Sequence, residues 1–315
     1  MKRICLLLAL ILLILSFASC GGDDVTTTGK PNNDDITTIP EKKILSVEEM
    51  TELDCVSSVV KNEANSGNGC IIYDLMFDFN GVKIDGQMAI PSDYKTKNYP
   101  TLLYFADVML NYQYLSYYAS SGYTIIRFGY RSGADETQRR DACGEDYNDV
   151  KSFFEACKKC DFLSRGGLAV MGSAEGSVRA LMLARDYSDE ILGCAVIDVI
   201  SDIESFMEFR GEGIKQLYKY RIGYSIEEKP EEYQKRSPVY FADKIDAPVL
   251  IFAYNNNPLI PVEQATMLKD AMLDSGGRCE LRILNELSSD FMTESSVSVL
   301  LPWISELQAS KGYAK

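Results

Sequence analysis

Between residues 101 and 308 short apolar runs with strand character take turns with longer stretches of helical period. The strand-like runs fall at 101–105, 124–130, 167–172, 192–200, 248–254 and 279–284, and the helical stretches at 111–120, 145–160, 175–187, 262–275 and 294–308. A strand that leads into a crossover helix returns parallel to its predecessor, so this order predicts a mainly parallel sheet with helices on both faces. Upstream, 70–79 and 81–91 flank an Asn80-Gly81 turn and read as an antiparallel hairpin, which brings the expected sheet to eight strands. After the sixth strand a charged, aromatic-rich and mostly helical insertion, 202–234, interrupts the rhythm. Ligands of such sheets sit outside the carboxyl ends of the strands, and site residues are to be sought there.

One strand-to-helix junction is unusual. In Val170-Met-Gly-Ser-Ala-Glu-Gly-Ser177 the glycines Gly172 and Gly176 stand four apart around a central Ala174. A chain that turns this sharply from strand to helix needs small residues on both flanks, and it pushes the middle residue out above the sheet. Further stretches carry a wider resemblance. Tyr99-Pro-Thr-Leu-Leu-Tyr-Phe105, Ser121-Gly-Tyr-Thr-Ile-Ile126, Tyr130-Arg-Ser-Gly133, Asp146-Tyr-Asn-Asp149, Glu231-Glu-Tyr-Gln-Lys-Arg-Ser-Pro238 and Ala247-Pro-Val-Leu-Ile251 are similar to segments of the prolyl oligopeptidase and dienelactone hydrolase group of α/β-hydrolases. The similarity runs from about residue 77 to 307.

The resemblance implies an α/β-hydrolase fold and a Ser-His-Asp triad, and each triad position departs from that pattern. The nucleophile position is Ala174, whose methyl group has no lone pair with which to attack a carbonyl. The acid position, before Pro258-Leu-Ile-Pro261, is Asn257, which cannot hold an imidazolium by charge. The histidine position, in Leu287-Ser-Ser-Asp-Phe-Met292, is Ser289, and the chain contains no histidine at all. Where the family has His-Gly-Gly after the third strand, this chain has Ala106-Asp107-Val108, and the Asp107 carboxylate would oppose a developing oxyanion. The expectation is therefore a binding or interaction protein without a catalytic triad. The alternatives are a residual esterase or peptidase with a displaced serine, served by a lysine or by a carboxylate such as Asp107, Glu175 or Asp290, and a structural protein whose pocket has filled in. The absence of histidine and of a tight carboxylate cluster speaks against a metal site, and no cofactor is expected.

Lys2 and Arg3 precede an apolar run that ends in Phe17-Ala18-Ser19-Cys20, the layout of a secretory signal. A cysteine directly after small residues resembles a bacterial lipoprotein lipobox, the alternative being a cleaved signal with an incidental cysteine. The reading is a signal over 1–19, a tether from Cys20 to residue 43 and a hydrolase-like domain over 44–315. The protein is then held at a bacterial cell-envelope membrane, outside the cytoplasm, through lipidated Cys20. The tether is rich in Gly, Asp, Thr, Asn and Pro and holds too little apolar surface to offset its ordering entropy. A formal charge of −14 leaves nucleic acid a poor partner. A small molecule, a peptide or another envelope protein fits better, and the aromatic insertion serves either as an interface or as a lid on its own domain. Seven cysteines follow Cys20. Cys55 and Cys70 bracket a polar loop and are candidates for one disulfide. Cys194, in an apolar run, reads as a small buried hydrophobe. Cys157-Lys-Lys-Cys160 has metal or redox spacing but no second pair.

Overall fold

The computed structural model describes residues 43–106, 109–132, 140–285 and 293–313. The strands are β1 (Val56–Lys61), β2 (Cys70–Phe79), β3 (Val82–Pro91), β4 (Thr101–Phe105), β5 (Thr124–Phe128), β6 (Leu168–Ser173), β7 (Ile191–Ile197), β8 (Val249–Tyr254) and β9 (Cys279–Leu284). The α-helices are α1 (Tyr112–Ser120), α2 (Tyr147–Lys159), α3 (Asp161–Ser164), α4 (Glu175–Asp186), α5 (Ile203–Arg210), α6 (Glu212–Ile222), α7 (Pro230–Gln234), α8 (Glu263–Asp274) and α9 (Glu294–Ser310). All nine strands join one sheet in the order β1-β2-β3-β5-β4-β6-β7-β8-β9. Pairings from β1 through β3 to β5 are antiparallel, and those from β5 through β4 to β9 are parallel.

The sheet has one strand more than the eight expected. β1 lies at the edge on β2, half exposed and bulged between Val56 and Ser58, and its polar Ser57-Ser58 pair hides the alternation that marks a strand. β7 also stops earlier than expected, at Ile197: the Asp198 N–H still donates to the Phe252 carbonyl at 2.9 Å, but its φ of 46° turns the chain out of the sheet there. The insertion after the sixth expected strand is helical, α5 to α7.

Long apolar side chains on both faces of the strands bury two separate layers. On one side Phe77, Phe105 and Phe128 meet Phe153 of α2, the last two stacked with centroids 4.5 Å apart, and Leu181 of α4 and Leu268 of α8 continue the layer. On the other, Leu115 and Tyr118 of α1 and Leu300 and Ile304 of α9 cover Leu102, Ile125, Ala169 and Phe252. Burying each large side chain contributes about 1.5–3 kcal/mol, so both helical layers are needed to hold the sheet. Cys55 belongs to the first layer and Cys70 to the second. Both thiols are free, so the suggested Cys55–Cys70 bridge is not formed: the sheet stands between them. Cys194 is fully buried and free, and Cys157 and Cys160 are buried thiols in the first layer.

Connections leave β4 toward β5 on one side, while β6 lies on the other. The carboxyl ends of β4 and β6 therefore form the switch point of the sheet, where a crevice opens of necessity.

Candidate functional site

The turn from β6 into α4 sits at that switch point. Ala174 has φ 50° and ψ −119°, a conformation that costs a residue with a β-carbon of the order of 1–3 kcal/mol. Two close approaches enforce it. A β-carbon on Gly172 would lie 2.1 Å from the Gly176 carbonyl oxygen, and one on Gly176 would lie 2.0 Å from the Phe105 carbonyl oxygen. The glycines thus let α4 press against the ends of β6 and β4, and the compression drives Ala174 outward. The expected strained elbow is present, with its methyl half-buried at the crevice floor.

Beside it stands a carboxyl that the sequence reading passed over. Ser173 pairs with Ile197 and the Ala174 N–H donates to the Ile197 carbonyl at 3.1 Å, so Asp198 follows directly next to Ala174. Its own φ of 46° makes a second sharp exit from the sheet. The carboxylate accepts from the Tyr254 N–H at 3.0 Å and from the Asn257 side-chain amide at 2.7 Å. Burial outweighs both bonds and pushes its pKa up to about 6. Asn257 is held in turn by accepting from the Leu259 and Ile260 N–H groups at 2.8 and 3.3 Å. The structure therefore brings Ala174 and Asn257 to one crevice, with Asp198 between them. Ser289, Asp107, Asp290 and Cys20 lie outside the described residues.

Above Ala174 the crevice encloses about 530 Å³. Met109, Leu110, Tyr114, Phe206, Ile214, Leu217, Leu259 and Ile260 supply its apolar walls, and Ser173, Glu175, Asp198, Arg140, Arg210 and Arg221 its polar groups. The insertion forms one side, so α5 and α6 act as a lid on their own domain, Phe206 of α5 and Tyr218 of α6 being its buried residues at the crevice. Glu175 fastens this lid: its carboxylate takes Arg140 at 2.6 Å and Arg221 of α6 at 2.5 Å. Under the elbow Tyr130 lies between the guanidiniums of Arg140 and Arg179, 4.0 and 3.7 Å from its ring centre, and Arg179 pairs with Asp146 at 2.7 Å.

The hydroxyls of the two serines flanking the elbow are hydrogen-bonded. The Ser173 hydroxyl shares a hydrogen bond with the Tyr104 hydroxyl at 3.0 Å, and the Ser177 hydroxyl donates to the Ala174 carbonyl. A larger depression of about 920 Å³ lies behind the lid, but its walls are mostly charged side chains already paired, such as Arg131 with Asp149 and Arg236 with Glu232. Among the described residues no group of three or more His, Cys, Asp or Glu is placed to hold a metal ion.

The sheet order, the elbow at Ala174 and the crevice over it define an α/β-hydrolase, with a domain of the prolyl oligopeptidase-like kind. The chain belongs to the BD-FAE family, whose family model matches residues 106–272. It is 22% identical over 206 residues to "Uncharacterized peptidase YtmA" of Bacillus subtilis, covering 64% of this chain and 79% of that protein. It is 25% identical over 154 residues to "Dipeptidyl peptidase family member 6" of Caenorhabditis elegans, covering 44% of this chain but 20% of that protein. Among solved structures it is similar to acetyl xylan esterase 1 from Thermoanaerobacterium, with a TM-score of 0.61 at 13% identity over 82% of this chain and 90% of the other. It is similar also to an acylaminoacyl peptidase, with a TM-score of 0.56 at 17% identity over 76% of this chain and 46% of that one. These structural likenesses are likenesses of fold.

Proposed function

We propose that this chain is a pseudoenzyme: a hydrolase-fold protein that binds a ligand in the crevice over Ala174 without hydrolysing it. The observation that supports this best is the methyl group at the elbow in a chain without a single histidine. A serine hydrolase needs a hydroxyl at that point and a base poised near neutrality to take its proton, and imidazole is the usual supplier. The open crevice favours binding over a purely structural role. The alternative, a residual esterase or peptidase, would need a serine bonded to a carboxylate or a lysine. Ser173 instead meets a tyrosine, and Ser177 a backbone carbonyl.

In this reading the protein works at a bacterial envelope membrane, tethered by lipid on Cys20, and the ligand is a small molecule, a peptide or part of an envelope protein. Among the described residues no helix is long and apolar enough to cross a membrane. The test is labelling of the purified protein with a fluorophosphonate, together with turnover of simple aryl esters. Neither should exceed a heat-denatured control, and Ala174→Ser should restore neither, since no imidazole exists to activate the new hydroxyl. Labelling that maps to Ser173, Ser177 or Ser289 would overturn the proposal.

A further inference from the structure

Resting on the binding reading, we infer that the ligand is an organic acid whose carboxylate is taken by Arg210 and whose apolar body lies along the lid. The described walls of the crevice carry three guanidiniums, Arg140, Arg210 and Arg221, against two carboxyls, Glu175 and Asp198. The chain as a whole is strongly acidic, with a formal charge of −14, so a cationic excess here runs against its general balance. In a cleft with low-dielectric walls, such an excess concentrates anions.

The guanidiniums are not equivalent. Arg140 and Arg221 share the Glu175 carboxylate and are committed to fastening the lid. Arg210 forms no ion pair with any described residue. It closes the last turn of α5, donates through Nη1 to the Leu259 carbonyl at 3.1 Å and lies 5.8 Å from the Phe206 ring centre. A cation at a helix C-terminus is favoured by the helix dipole alone, which would account for its residue type but not for its place. The bond to Leu259 ties it across the crevice mouth from lid to the loop after β8, and leaves further N–H groups for a planar acceptor such as a carboxylate.

The walls next to it say what the rest of the ligand is. Leu217, Leu259 and Met109 are exposed by 36%, 54% and 56%, although all three line the crevice. Apolar side chains left open around a cavity of about 530 Å³ suit a medium-chain acyl or arylalkyl body rather than a polar one.

The experiment measures binding of octanoate, octanamide and octylammonium, and of 4-phenylbutyrate with its amide, to the purified protein by calorimetry at neutral pH and low salt. The carboxylates should bind about tenfold or more tightly than the matching amides, as a charge-assisted bond provides. Arg210→Gln should remove that preference while leaving the amides unchanged, and Arg210→Lys should restore part of it. Equal affinity for acid and amide, or an acid preference that survives Arg210→Gln, would overturn the inference and leave the binding reading standing. Preference for the amine, or failure of every probe to bind, would overturn it as well. The non-catalytic reading falls by a separate route, fluorophosphonate labelling or ester turnover, so the two failures are told apart.

Discussion

Glu175→Gln tests how the lid is fixed. The Glu175 carboxylate joins Arg140, from the loop before α2, to Arg221, from the lid, with side-chain exposures of 10%, 15% and 18%. Removing one member of a buried ionic group leaves its partners uncompensated, at a cost of 3–5 kcal/mol when burial is complete. Here all three groups keep some contact with solvent, which places the expected loss at the lower end, about 3 kcal/mol. For a domain of this size that lowers the melting temperature by about 6 °C. Urea denaturation of the wild type, Glu175→Gln, Arg221→Gln and the double variant gives the coupling between the two residues, expected at about 1–3 kcal/mol. Amide exchange in α6 should quicken in each single variant, because the helix is pinned to the elbow through this pair. A coupling below about 0.5 kcal/mol, with exchange in α6 unchanged, would show that the lid is held by its apolar contacts alone and would refute the reasoning.

Further tests address the elbow, its neighbouring carboxyl and the proposed lipid anchor. Asp198 keeps its proton up to about pH 6 in the folded chain but only to about 3.8 when unfolded, so the folded state binds more protons between those values. The group's contribution to stability is then most favourable below pH 3.8 and falls as pH rises through 6, by about 3 kcal/mol in all. The stability of wild type minus Asp198→Asn should decline by that order between pH 4 and 7.5 in urea titrations, and a flat difference would count against the burial argument. Ala174→Gly should stabilise by about 1 kcal/mol, since relief of 1–3 kcal/mol of strain exceeds the 0.5–1 kcal/mol that glycine costs in backbone entropy; a loss on denaturation would mean an unstrained turn. Gly176→Ala should cost more than about 3 kcal/mol, because its β-carbon would meet the Phe105 carbonyl oxygen at 2.0 Å, and an unchanged urea midpoint would contradict that contact. Cys20→Ser should move the protein out of the membrane fraction or block its processing, as expected if lipid on that residue is the anchor.

The alternation of periods was enough to read the parallel half of the sheet, because each of those strands is a short apolar run set off by polar or glycine-bearing turns. β1 escaped for the opposite reason: an edge strand with two serines and one exposed face has no alternation to show. The elbow was legible because its close packing admits only glycine at 172 and 176, a constraint written in residue type. The charges around the crevice were not. Arg140, Arg210 and Arg221 come from a loop and a lid, where charged residues are ordinary, and only the fold brings them together. Asp198 did leave a trace, as the one carboxylate inside the otherwise apolar 194–200, at the end of a strand where such sheets bind ligands. The expected bridge from Cys55 to Cys70 failed because nearness along the chain does not tell which side of a sheet a residue faces.

The amide contact between Asn257 and Asp198 bears on whether such a site can be rebuilt. On the non-catalytic reading, placing an aspartate at position 257 is the simplest first step toward the triad pattern of the resembling hydrolases. It would set two carboxyls at the 2.7 Å now spanned by a hydrogen bond, and one of them would have to keep a proton. The restored acid would then be spent on its neighbour rather than on an incoming imidazole. Under the proposed non-catalytic reading, position 198 has to be neutralised before position 257 can be of use, so a route to hydrolysis passes through an order of changes and not only a number of them.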